Sequence, residues 1–136
     1  MENKYLDGNE AIVQAITAAN AEESMDNFHA VVEAIQDRMI ADGHFLLPVV
    51  HPDGNEEQFL VRTLRSEKGE NYMVAFTSEA EVTKGAPTGI LSYFIDSVLE
   101  IALGMEGIVG IVLDPWGERF VLNRAAIRMI LEAKQC

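Results

Sequence analysis

Apolar residues recur along this chain in two rhythms, a helical one near both ends and in one middle segment, and a strand-like one between them. Ile12, Val13, Ile16 and Ala19 stand at helical spacing behind Asn9, which predicts a short amphipathic helix over residues 9–20 with Asn9 as its N-cap. A second helix is predicted from Ser24, where Phe28, Val31, Val32, Ile35, Met39 and Ile40 form one stripe that Asp42-Gly43 stops. The pattern then shortens to Phe45-Leu46-Leu47-Pro48-Val49-Val50, a strand closed by the turn His51-Pro52-Asp53-Gly54. Pro48 has no backbone N–H, so this strand is expected at a sheet edge or with a bulge. Phe59, Val61 and Leu64 mark a second strand and residues 72–76 a third. The short connections predict an antiparallel meander.

Ser78 and Glu81 fit a capping box and predict a brief helix, ended by the loop at residues 84–89. Residues 90–105 read as the clearest helix, with Leu91, Phe94, Ile95, Val98, Leu99 and Ala102 on a broad apolar face. After Gly107, the run Ile108-Val109-Gly110-Ile111-Val112-Leu113 predicts a strand buried on both faces and central to its sheet. Asp114-Pro115-Trp116-Gly117 is a strong turn, with Gly117 expected in the left-handed conformation that lets Phe120-Val121-Leu122 pair back. Asn123 then caps a last helix over residues 124–134, whose Ala126, Ile127, Ile130 and Leu131 face inward. The expected fold is α+β. It is a mixed, largely antiparallel five-stranded sheet packed with about four helices, two of them N-terminal, in one domain spanning residues 1–136. The helices at 24–41, 90–105 and 124–134 are expected to pack on the sheet, with the first helix peripheral.

Composition fits such a domain, because 136 residues with 49% hydrophobic and 24% charged side chains can hold one core without staples. Cys136 is the only cysteine, so no intramolecular disulfide or cysteine metal cage is expected. The N-terminus lacks a secretion signal, and no apolar run approaches the ~20 residues of a membrane span. A cytoplasmic location without membrane partners is therefore expected. The net charge of −12 is uneven: residues 1–57 carry twelve acids against Lys4 and Arg38, a net of −10. Nucleic acid is not expected as a partner, since phosphate contacts need clustered Lys and Arg. The acidity reads first as a solubilising face and second as a docking face for a basic partner.

Candidate chemistry is sparse. His29, His44 and His51 lack metal-site spacing. His44 and His51 lie at opposite ends of one predicted strand, roughly 20 Å apart at ~3.3 Å per residue. Asp114 and Glu118 flank one turn, where turn polarity explains them more simply than acid/base chemistry. Ser78 has no nucleophile elbow around it and reads as a cap, though Thr77 and Ser78 could contact an anion through a helix start. Neither catalytic residues nor cofactor nor metal is expected. Trp116, the only tryptophan, sits at a hairpin tip, where it can anchor a partner or fold back onto the domain. Arg119, Arg124 and Arg128 follow closely, so Trp116 with these arginines is the expected recognition patch.

Three phrases in order, Phe45-Leu46-Leu47-Pro48-Val49, Phe76-Thr77-Ser78 and the run from Gly110 through Asp114-Pro115-Trp116-Gly117, resemble the SseB protein N-terminal domain over residues 9–133. The resemblance implies no established catalytic residue, cofactor or substrate, and the family's name reflects a serine-sensitivity phenotype. This chain has Asp114 where the family usually has Asn. The second C-terminal domain of many members is not expected here, and neither is a role needing both domains. The expected function is a non-catalytic binding or adaptor module with a protein partner, acting through the Trp116 hairpin or the acidic N-terminal helices. A small-metabolite regulator or enzyme tied to amino acids is a competing reading that rests on the family name. A secretion-associated or chaperone-like accessory protein with a basic or amphipathic client is another. A homodimer stays open, with the Pro48 strand able either to block or to accompany the contact.

Overall fold

The computed structural model describes residues 4–50, 60–85 and 89–133. A 3-10 turn at Lys4–Leu6 leads into α1 (Glu10–Ala21) and α2 (Met25–Ile40), followed by β1 (His44–Val50), β2 (Leu60–Val61), β3 (Thr63–Arg65) and β4 (Asn71–Ala75). A short α3 (Glu79–Val82) precedes β5 (Ile90–Phe94), which runs directly into α4 (Ile95–Gly104). Then come β6 (Ile108–Leu113), β7 (Phe120–Asn123) and α5 (Arg124–Glu132). The expected turn at residues 51–54, the strand residue Phe59, part of the 84–89 loop and Cys136 lie outside the described residues.

The α+β class is as expected, but the single five-stranded sheet is not. Among the described residues there is a three-stranded sheet in the order β2-β1-β5 and a four-stranded sheet in the order β3-β4-β6-β7. The two meet at Leu46 and Phe76, whose amides each donate to the other's carbonyl at 2.9 and 2.8 Å. The strand expected around Phe59, Val61 and Leu64 divides at Arg62. The Arg62 amide donates to the Pro48 carbonyl at 2.9 Å, while Thr63 opens a new ladder opposite Met73.

Pro48 is not on an edge strand, because β1 lies between β2 and β5. Residues 46 and 48 turn their backbone polar groups to the same side of β1, away from β5. On that side Leu46 bonds Phe76 and the Pro48 carbonyl accepts from Arg62. The missing N–H thus falls where β1 passes from one neighbour to the other, so the Pro48–Arg62 pair keeps one bond, from the Arg62 amide, and lacks the reciprocal one.

Residues 90–94 are strand rather than helix, pairing antiparallel with β1 in the register Leu47↔Leu91 and Phe45↔Tyr93. Their apolar spacing satisfies a helix, but Ile90, Tyr93 and Phe94 are strand formers, and β1 supplies the partner that local sequence cannot reveal. The expected antiparallel pairing of the first strands is present, in β1–β2 and β3–β4, but divided between the two sheets. The mixed character expected of the sheet comes from β4, which pairs parallel with β6, Met73 opposite Ile111. The crossover through α3, β5 and α4 makes that possible. β6 lies inside its sheet as its unbroken apolar run requires, between β4 and β7.

Nor is α1 peripheral. Its Ile12 and Ile16 are fully buried in one cluster with Ile35 of α2, Phe45 and Leu47 of β1, Leu99 of α4, Ile111 of β6 and Ile127 of α5. Burying each such side chain contributes roughly 1.5–3 kcal/mol, so the helices and both sheets are held as one unit. Leu46, Val74 and Phe76 form a smaller cluster with Leu6, Leu64, Val82 and Ile90. No helix among the described residues is long and apolar enough to cross a membrane.

Candidate functional site

The β6–β7 hairpin turns on Asp114, not on Gly117. Asp114 adopts the left-handed conformation, with φ of 50°, and the turn closes as the Gly117 amide donates to the Asp114 carbonyl at 3.0 Å. Aspartate tolerates this conformation because its short side chain finds local partners. Here the partner is Thr77 at the end of β4, whose amide donates to Oδ1 at 2.9 Å and whose hydroxyl donates to Oδ2 at 2.7 Å. Asp114 is 1% exposed and Thr77 fully buried. Burial pushes the Asp114 carboxyl up to about 6, while the two Thr77 donors pull the other way.

This pair continues into a buried polar chain that the sequence does not announce. Asn9 stands at the N-cap position of α1, but its side chain makes no capping bond and turns inward, where Nδ2 donates to the carbonyls of Thr77 and His44, both at 2.9 Å. Its Oδ1 accepts from Nε of Arg38 at 2.9 Å, and Arg38 Nη2 donates to the Tyr5 carbonyl at 3.1 Å. Arg38, Asn9, Thr77 and Asp114 thus tie the N-terminal segment, α2, β1 and β4 to the base of the hairpin. The one sequence signal was a polar residue directly after an all-apolar strand.

Ser78 caps α3, accepting from the Glu81 amide at 3.3 Å. With the Thr77 hydroxyl given to Asp114, neither side chain is left aimed at an anion. Glu81 pairs with Lys84 at 2.6 Å. That hydrogen bond holds the lysine above its usual range, and Asp114 and Glu118 add to the effect. Gly85 and Gly117 both sit under close neighbours. A Cβ at Gly85 would overlap the Trp116 ring, and one at Gly117 would collide with the Glu81 carboxylate.

Trp116 both folds back and remains accessible. Its ring lies 5.3 Å from that of Phe76 at an interplanar angle of 38°, and the residue keeps 43% exposure. Beside it, Pro48, Arg62, Leu64, Val74 and Phe76 help to close a small cavity of about 50 Å³. On the other side of the hairpin lies a much larger cleft of about 690 Å³, between the α1–α2 corner and β7. Ala19, Met25, Phe28, Phe120 and Val121 supply its apolar lining, with Met25 68% and Val121 43% exposed. Asn20 fixes the corner to the hairpin, since its Nδ2 donates to Glu118 Oε2 and to the Arg119 carbonyl, both at 3.1 Å.

The four residues expected to form one patch are dispersed. Trp116 and Arg119 flank the same turn, and Arg119 lines the cleft. Arg124 lies at the far end of β7, where its guanidinium donates to the carbonyls of Ala102, Leu103 and Ile108 and so caps α4. Arg128 is exposed on α5. Met25 and Val121 escaped the sequence reading, although the inward alternation of Phe120 and Leu122 turns Val121 outward.

The histidines are apart from this region. His29 is exposed on α2, and His51 lies outside the described residues. His44 is nearly buried, stacked on Tyr5 at 4.2 Å and within 2.7 Å of the Ser92 hydroxyl. Its desolvation lowers its pKa, which Asp42 partly opposes. Among the described residues, no group of three or more His, Cys, Asp or Glu side chains is placed to hold a metal.

Residues 12–129 match the family model for the SseB protein N-terminal domain. No curated protein and no solved structure matches the chain.

Proposed function

We propose that this chain, which belongs to the SseB protein N-terminal domain family, is a non-catalytic protein-binding module whose contact surface is the β6–β7 hairpin and the cleft beside it. The observation that carries the reading is the cleft of about 690 Å³, where Met25 and Val121 stay solvent-exposed at 68% and 43%. Exposed apolar residues gathered in a concavity favour association, whereas scattered ones do not. Thr77, Ser78 and Asn20 have structural partners instead of standing ready for a substrate: Thr77 holds Asp114, Ser78 caps α3, and Asn20 anchors the hairpin. A buried polar chain behind the turn pre-organises the surface, which reduces the ordering cost of binding.

Site-specific photo-crosslinking in cells tests this. A photoreactive residue at position 25, 116 or 121 is expected to trap the same protein, and one at Lys68, in the β3–β4 turn, is not. Adducts formed equally from all four positions, or from none, would remove the reading.

A further inference from the structure

We infer that the occupant of the cleft is an amphipathic helix carrying basic residues, supplied by a partner protein. The inference rests on the binding-module reading above and adds the chemistry of the partner. Ala19, Met25, Phe28, Phe120 and Val121 offer an apolar trough that Glu23 also lines, and the exposed acids Glu22, Asp26 and Glu118 each stand next in sequence to a residue of that lining. Arg119, directly before β7, is the one cation among these residues, so with Glu23 in the lining and Glu22, Asp26 and Glu118 next to it in sequence this stretch of the chain carries a net negative charge. A helix with an apolar stripe flanked by Lys or Arg complements both features at once. The exposed Met25 suits such a stripe, because an unbranched thioether can repack against side chains of different shape.

Two other occupants fit less well. An extended peptide adding to the edge of β7 needs free backbone groups along that strand. The approach is occupied at Arg119, whose carbonyl accepts from Asn20, and the strand ends at Asn123, where α5 begins. A second copy of this chain would bring Glu22, Glu23 and Asp26 towards their counterparts, adding repulsion between chains of net charge −12 each.

The experiment uses the full chain and a fluorescent synthetic peptide with Leu and Lys at helical spacing, followed by anisotropy. A scrambled peptide of the same composition and a version with Glu replacing Lys serve as controls. The amphipathic basic peptide is expected to bind at least about tenfold more tightly than either control, with affinity falling as salt is raised. Val121→Glu and Met25→Glu are each expected to weaken it by about tenfold or more. Glu23→Gln combined with Asp26→Asn should weaken it while flattening the salt dependence. Unchanged urea midpoints in these variants keep the comparison on the surface and not on folding.

Equal binding of the scrambled peptide, or indifference to Val121→Glu and Met25→Glu, would overturn the inference. So would light scattering that shows a dimer dissolved by Val121→Glu and closed to the peptide, since the cleft would then hold a second copy. Crosslinks from positions 25 and 121 to one partner without any peptide binding would retain the binding module and overturn the basic helix alone.

Discussion

The carboxylate of Asp114 takes the Thr77 amide on one oxygen at 2.9 Å and the Thr77 hydroxyl on the other at 2.7 Å, at the only described junction where β4 and β6 end side by side. Both residues are shut off from solvent. Two donors favour the ionised form and burial opposes it, and burial wins, leaving the carboxyl near about 6 against an ordinary 3.8.

That balance sets a pH dependence. Because the folded state holds this proton more tightly than the unfolded chain, Asp114 contributes most below about pH 3.8 and its contribution is lost as pH rises through about 6. The loss is on the order of 3 kcal/mol by linkage. Asp114→Asn keeps the left-handed turn and removes the titration. Urea unfolding at intervals from pH 4 to 7 should therefore show the stability of Asp114→Asn rising relative to the parent across that window. A constant difference between the two proteins would mean that Asp114 does not titrate there.

Asn9 is expected to be among the most sensitive polar positions. Its side chain satisfies two buried carbonyls and receives Arg38, so Asn9→Ala should cost about 2–4 kcal/mol, the usual result of stranding buried polar groups. Asn9→Asp should be no better despite the nearby guanidinium, because a carboxylate cannot donate to the carbonyls of His44 and Thr77. Chemical denaturation distinguishes this from a capping role, in which Asp would substitute without loss.

The Asn9 case also shows where sequence reasoning stops. A polar residue before a helical stripe has the same local signature whether its side chain caps the helix or reaches inward, and only Arg38 and Thr77, distant in sequence, decide. Residues 90–94 failed for a similar reason, since Leu91, Phe94, Ile95 and Val98 satisfy the helical period and the pairing with β1 is non-local. What local chemistry determines was legible. The apolar run of β6, the helix start at Ser24, the Ser78 cap, and Asn123, whose side chain accepts from the Ala126 amide at 2.8 Å, are all as expected. The cleft was hidden because exposure of Met25 and Val121 depends on what neighbouring elements leave uncovered.

Trp116 gives an intrinsic probe of the hairpin. Its ring rests where a side chain at Gly85 would stand, and Gly85 is not in the left-handed region, so Gly85→Ala acts through the indole and not through backbone strain. The variant should show a red-shifted tryptophan emission maximum and a loss of about 1–3 kcal/mol, as expected for overpacking. An unshifted spectrum would mean that the ring does not occupy this seat in solution.

Arg124 separates structural arginines from recognition arginines. Its guanidinium reaches the Leu103 carbonyl at 2.6 Å, Ile108 at 2.9 Å and Ala102 at 3.3 Å, so it satisfies the end of α4 and the start of β6 together. A cation at a helix C-terminus also meets the negative end of the dipole. Arg124→Ala is expected to lower stability by about 2 kcal/mol through these charge-assisted bonds. Arg124→Lys should recover only part of it, because an ammonium cannot span three carbonyls as a planar fork does. Binding through the cleft should be unchanged in either variant under conditions where both are folded. Arg119, whose side chain lines the cleft, is expected to show the opposite profile on substitution by Ala: little change in the urea midpoint and an altered affinity for the partner. Loss of binding in folded Arg124→Ala would instead place this arginine in the contact surface.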